Sequence, residues 1–215
     1  MKTLIGLLLL LPSYLLADGV PKTLLEMAGL QPTPAALSES VLVVIDAQRE
    51  YIDGALPLKN IDEALTQGRR LLLRARAAGT SIVHVVHRGG GALFNPESPY
   101  FAIASKMAPE PGELTIEKSL PNAFAGTSLL ETLKSTGRKM LIIVGFMTHM
   151  CLDSTVRAAL DQGYFTTVVA SVTATRDLPD GQGGSVPAEQ VQQAILSALA
   201  DRFAVVVQGV DDIQD

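Results

Sequence analysis

The feature that most constrains this chain is a repeated alternation of short, wholly apolar runs with helix-patterned segments. Val41-Leu42-Val43-Val44-Ile45, Ser81 to Val86, Met140 to Val144, Phe165 to Ala170 and Phe203 to Val207 are β-branched-rich runs with no polar alternation, and a shorter strand is expected over Glu113–Glu117. Runs of that kind are strands covered on both faces, which is the signature of a parallel sheet. The segments between them carry apolar residues at helical spacing: Ile61, Ala64, Leu65, Leu71, Leu72 and Ala75; then Leu152, Val156, Ala159 and Leu160; then Val191, Ala194, Ile195, Ala198 and Leu199. Gly126 to Ser135 is expected to add a short helix. Gly79 and Gly163 stand where helices should stop, and Asn60 with Glu63 resembles a capping pair. The order predicts an α/β fold, a doubly wound, mostly parallel six-stranded sheet with helices on both faces.

In such a sheet ligands bind beyond the carboxyl ends of the strands, where strand order reverses. Asp46 follows the first strand, Lys118 the third and Cys151 the fourth. Cys151 is the chain's single cysteine. With Thr148 as the expected N-cap it would lie in the first turn of a helix, where free N–H groups and the helix dipole favour a thiolate. A lone cysteine is also often a small buried hydrophobe, Asp46 could be a solvated strand end, and Lys118 a surface lysine. An acid, a base and a thiol on one edge together favour a reactive site.

At 215 residues and 47% hydrophobic content the chain has enough material for one α/β domain with a full core. A net charge of −5, with no basic cluster, speaks against a nucleic-acid partner. One cysteine excludes an intrachain disulfide and any zinc site built on paired cysteines. Residues 1–20 differ from the rest: Met1-Lys2, a leucine-rich run to Leu11, Pro12, and Ala17 before Asp18. The run is too short to span a bilayer and has the length of an export-signal core. Residues 1–20 are therefore expected to be a signal peptide, with an apolar extension as the alternative, and residues 21–215 the folded domain. Export would make the protein periplasmic or secreted, with no membrane association after processing; without it the protein would be cytoplasmic.

Three segments resemble the isochorismatase-like cysteine hydrolases: Val44-Ile45-Asp46-Ala47-Gln48, the stretch from Glu117-Lys118 to Leu129, and the stretch from Gly145 through Thr148-His149-Met150-Cys151 to Gly163-Tyr164. The resemblance runs from about Lys22 to Gln208. It implies an Asp46–Lys118–Cys151 triad, a non-proline cis peptide at Phe146–Met147, and an oxyanion hole formed by the backbone N–H groups of Met147 and Cys151. The implied activity is C–N hydrolysis of a small amide, ureide or carbamoyl substrate through a Cys151 thioester. The alternatives are vinyl-ether hydrolysis of the isochorismatase type, whose enzymes typically lack the cysteine, and a catalytically silent binding protein. Nicotinamidases of the family hold a metal with an Asp and several His. This chain has His84, His87 and His149 and no Asp-x-His motif, so no metal and no cofactor is expected. Relatives are commonly homo-oligomers acting on small molecules.

Gln48, Phe94, Phe124 and His149 are candidate pocket residues, with Tyr100 a further aromatic wall. His84, inside a strand, is expected to be a hydrogen-bonded core residue. Ser171 stands where many relatives carry an Asp after the strand. Gly89-Gly90-Gly91 follows no phosphate-binding pattern and is expected to be a flexible loop.

Overall fold

Strand β1 (Ser40–Ile45) is buried at every position, which requires cover on both of its faces. In the computed structural model, which describes residues 19–215, it lies inside a six-stranded parallel sheet. Its companions are β2 (Ser81–His87), β3 (Leu114–Lys118), β4 (Met140–Phe146) and β5 (Phe165–Ala174). A two-stranded antiparallel ribbon, β6 (Leu178–Pro179) with β7 (Ser185–Val186), precedes the last strand, β8 (Ala204–Val207). The sheet order is β3-β2-β1-β4-β5-β8, all parallel. The chain winds outward through β2 and β3, then returns to the other side of β1. The reversal of strand order therefore falls between β1 and β4.

The side-chain period of a strand divides β1 between two cores. Leu42 and Val44 pack with Ala64, Leu65, Leu71, Leu72 and Ala75 of helix α2 (Ile61–Ala77), while α1 is a single turn (Leu24–Met27). Val41, Val43 and Ile45 pack on the opposite face with Leu129 and Leu133 of α3 (Leu129–Ser135), Val156 and Ala159 of α4 (Asp153–Asp161), and Leu199 of α5 (Ala188–Arg202). Each face buries its own aliphatic layer, and at roughly 1.5–3 kcal/mol per fully buried Val, Leu or Ile these layers are the main stabilising contribution.

Local details differ from expectation. Asn60 takes a left-handed φ of 56° and its side chain makes no cap bond, so the Asn60–Glu63 pair does not form. The residue before α2 is set by a turn instead. Helix α3 begins at Leu129, not Gly126, because the backbone N–H groups of Ala123, Phe124 and Leu129 donate to the side-chain oxygens of Thr155, Asn122 and Thr127 in an irregular loop. Strand β5 continues past Ala170 to Ala174 through a register irregularity opposite Ile143–Gly145, so Ser171 sits within a strand and not after it. Thr148 is not an N-cap: its hydroxyl is buried without a partner among the described residues, and the cap position falls on Met147. Thr148–Leu152 winds as one π turn before α4, a form often found at functional sites.

Gly145 is required where β4 meets β1. Its φ is 117°, and a Cβ there would stand 2.0 Å from the Ile45 carbonyl oxygen. Only glycine satisfies both conditions.

Residues 1–18, which carry nearly all of the expected signal peptide, lie outside the described residues. No helix among the described residues is long and apolar enough to cross a membrane.

Candidate active site

The parallel registers bring three strand ends to one edge. Ile45 pairs with Val85 on one side and Gly145 on the other, and His87 pairs with Lys118. Asp46 leaves β1 with a left-handed φ of 48° while its N–H donates to the Val85 carbonyl at 2.8 Å. A non-glycine residue in that region is uncommon, and such conformations collect at functional sites.

Lys118 is the hub. Its Nζ lies 2.7 Å from Asp46 Oδ2 and donates to Cys151 Sγ at 3.2 Å, with His87 Nδ1 at 3.1 Å. Asp46 is 0% exposed, Lys118 3% and Cys151 4%. His87 is half-buried. An ammonium has three N–H donors and no acceptor, and here three acceptors surround it. Asp46 Oδ1 accepts no hydrogen bond from the described residues, so one carboxylate oxygen remains available as a proton acceptor.

The electrostatics depart from expectation. Burial pushes the Cys151 thiol up to about 12, and the negative charge of Asp46 adds to this against the opposing pull of Lys118. The helix-start position therefore does not ionise the thiol; in the unliganded protein it is held protonated. Burial likewise raises the Asp46 carboxyl, opposed first by the Lys118 charge. The His87 imidazole is lowered to about 4 by burial and then by Lys118, so at neutral pH it is an uncharged acceptor.

Asp46, His87 and Cys151 offer ligand atoms within 4.8 Å of one another, the composition of a transition-metal site. The Lys118 ammonium contacts all three, so it takes the central position that a cation would need. A divalent ion would bind there only with Lys118 displaced.

The other expected site residues have varied placements. The Phe146–Met147 bond is cis. Gln48 spends its amide on the backbone: Nε2 donates to the His87 and Phe101 carbonyls at 3.1 and 2.9 Å, and Oε1 accepts from His87 N–H at 2.8 Å. It is a clasp behind His87. Phe94 packs edge-on against His87 and Tyr51, with ring centroids 5.1 and 5.2 Å away. Phe124 stacks on Tyr164 and packs into the α3/α4 core. His149, two residues before the thiol, bonds through Nδ1 to Thr175 Oγ1 at 2.6 Å. Tyr100 lies under the Arg49 guanidinium at the surface. His84 is buried and bonds Glu113 Oε2 at 2.9 Å, as expected of a core histidine.

His87 is the site member that the sequence reading missed. The visible signal was a polar residue closing an apolar strand; its neighbour Lys118 follows only from the β2–β3 register. A separate cavity of about 420 Å³, lined by Leu25, Leu30, Met140, Leu160, Phe203 and Val205, opens at the amino-terminal edge of the sheet, away from the triad.

Comparison with known proteins gives a consistent picture. The family model described as Isochorismatase domain matches residues 40–210. The chain is 36% identical over 188 residues to the secreted isochorismatase effector Isc1 of Verticillium dahliae, covering 86% of this chain and 96% of that protein. It is 28% identical over 182 residues to a ureidoacrylate amidohydrolase, RutB, of Stutzerimonas stutzeri, covering 66% of this chain and 73% of the relative. Among solved structures, an isochorismatase from Pseudomonas putida KT2440 superposes with a TM-score of 0.86 at 42% identity, covering 90% of this chain and all (100%) of that one.

Proposed function

Because this chain belongs to the isochorismatase family of hydrolases, we propose that it cleaves a C–N bond of a small amide, ureide or carbamoyl substrate through an acyl-Cys151 intermediate. The observation that carries this reading is the Lys118 ammonium held between a buried carboxylate and a buried thiol. Asp46 takes the thiol proton as Sγ attacks the carbonyl carbon, and the carbonyl π electrons move onto oxygen. Burial makes both partners poor ions, so proton transfer accompanies attack and the thiolate is not formed in advance. Lys118 keeps the pair aligned and offsets the negative charge of Asp46. The N–H groups of Met147 and Cys151 meet the oxyanion. Collapse breaks the C–N bond, and the leaving nitrogen takes the proton from Asp46. Water, giving a proton to Asp46, then attacks the thioester carbon, and Cys151 leaves as the thiol when that proton returns.

A second reading is vinyl-ether hydrolysis, favoured by the 36% identity to a protein named an isochorismatase effector. There a protonated Asp46, whose raised pKa suits a proton donor, would act without the thiol. Turnover of a panel of amides, ureides and isochorismate by the wild type, Cys151→Ser and Asp46→Asn separates the two. Loss in both variants supports the thioester route, and loss in Asp46→Asn alone supports the other.

Export of the chain and its assembly into a homo-oligomer belong to the same proposal. The leucine-rich segment within residues 1–20 supports export, as does likeness to a relative named as secreted. N-terminal sequencing after fractionation of a Gram-negative host is expected to find the mature protein starting near Asp18 in the periplasm. Intact Met1 in the cytosol would end the export reading.

A further inference from the structure

Arg176 lies just beyond β5, on the same edge of the sheet as the triad. Ala174 pairs with Phe146 at the end of β4, and the next residue, Thr175, bonds His149 of the thiol turn at 2.6 Å. The half-buried guanidinium that follows has no carboxylate partner among the described residues. Among the described residues, Nη1 donates only to the neighbouring Asp177 carbonyl at 3.0 Å, and Nε is buried without an acceptor. A buried donor left unsatisfied is costly, and structures that keep one usually have a use for it. Most other arginines of the chain are different: Arg49, Arg70, Arg74, Arg76, Arg88 and Arg157 each pair with a carboxylate.

The charges around it are already matched. Asp46 and Lys118 cancel, His87 and Cys151 are uncharged at neutral pH, and Glu50 is held by the N–H groups of Ala55 and Phe94. Asp153 pairs with Arg157, and the Asp177 carboxylate accepts from Ala188 N–H. The positive charge of Arg176 reaches Tyr51 and His149, and Tyr51 also feels Asp46 and Cys151. Arg176 is thus a cation without a carboxylate partner among the described residues, near Tyr51 and His149 on the sheet edge that carries the thiol.

We propose that Arg176 is the specificity residue of this site, and that it receives the carboxylate of an anionic substrate whose scissile carbonyl then lies over Cys151. A guanidinium fork matches a carboxylate with two parallel N–H···O bonds. The acceptor that Nε lacks would come from the ligand. The substrate class narrows to amides or ureides bearing a carboxylate. This rests on the reading of Cys151 as nucleophile.

The test uses two thiol reagents of nearly equal size, iodoacetate and iodoacetamide, which differ in charge. Labelling of Cys151 is followed by intact mass on the full chain at about pH 8.5, with each rate divided by that of free cysteine. In the wild type the normalised iodoacetate-to-iodoacetamide ratio should exceed one by roughly tenfold, as cationic focusing of an anion predicts. Arg176→Leu should bring the ratio to one or below with the iodoacetamide rate unchanged, and Arg176→Lys should keep part of the preference. Equal ratios in wild type and Arg176→Leu would overturn the proposal while leaving Cys151 a nucleophile. Because the resting thiol is held protonated, labelling is slow and is followed over hours; complete absence of labelling by both reagents even at about pH 10 would overturn the nucleophile reading and this proposal with it. Should Arg176→Leu not fold, an Arg176→Lys ratio equal to wild type together with a wild-type ratio of one would overturn it equally.

Discussion

Lys118 Nζ stands 3.2 Å from Cys151 Sγ, yet the thiol beside this ammonium is harder to ionise than a free cysteine. Burial outweighs the cation, and Asp46, 2.7 Å from the same ammonium, spends much of its effect. The three buried groups form a closed assembly in which the proton stays on sulfur at neutral pH.

One consequence concerns the two ends of that proton transfer. Cys151→Ala is expected to lower kcat on a C–N substrate by about 10³-fold or more, since the covalent route is lost. Thermal unfolding should be little changed, because a small apolar group replaces a buried thiol. Steady-state kinetics beside a melting curve would check this; near wild-type turnover would remove Cys151 from the mechanism.

The thiol also sets an alkaline limit on stability. Its folded pKa, about 12, lies above its ordinary value of 9.0. A group raised in the fold contributes stability below its unfolded pKa and loses it as pH rises toward the folded one. Wild type should therefore lose stability between about pH 9 and 12 relative to Cys151→Ala, as read by denaturant midpoints. Alkylation by iodoacetamide should keep rising above pH 9 and not level off near neutrality. Lys118→Met, which removes the one lowering charge, should slow it further.

His87 works in the opposite direction. Burial and then Lys118 depress its pKa from 6.5 to about 4. Stability tied to the neutral imidazole is present above about 6.5 and lost as pH falls toward 4. His87→Leu leaves one ammonium donor buried without an acceptor and should cost about 1–3 kcal/mol at pH 7. His87→Gln restores an acceptor and should recover part of that, with no acid-dependent loss between pH 6.5 and 4. Urea titrations at several pH values distinguish the two variants.

Gly145→Ala tests how β4 is held against β1. A Cβ would meet the Ile45 carbonyl oxygen at 2.0 Å, on a backbone with φ 117°. Both the clash and the backbone conformation are unfavourable, so a loss above about 4 kcal/mol is expected. A calorimetric Tm within a few degrees of wild type would show that the two strand ends can separate more easily than their contact implies.

Much of this protein can be read from one dimension. The apolar runs at Val41–Ile45, Met140–Val144 and Phe165–Ala170 point to buried parallel strands because they are β-branched and, at five or six residues, too short for a buried helix. The strand ends then identify Asp46, Lys118 and Cys151, which do meet. What the pattern could not supply were relationships that depend on register and on depth. His87 touches Lys118 only because β2 and β3 align those two residues, which are 31 positions apart. Gln48 turns its amide to the backbone of His87 and Phe101, and Arg176 keeps a buried, unpartnered Nε after a strand four residues longer than its apolar run suggests. A helix start at Cys151 predicts a lowered thiol pKa, and burial in the assembled fold raises it instead. A helix dipole is a property of a few neighbouring residues, whereas desolvation is set by everything packed around the sulfur, and only the assembled sheet and its two helical layers determine that.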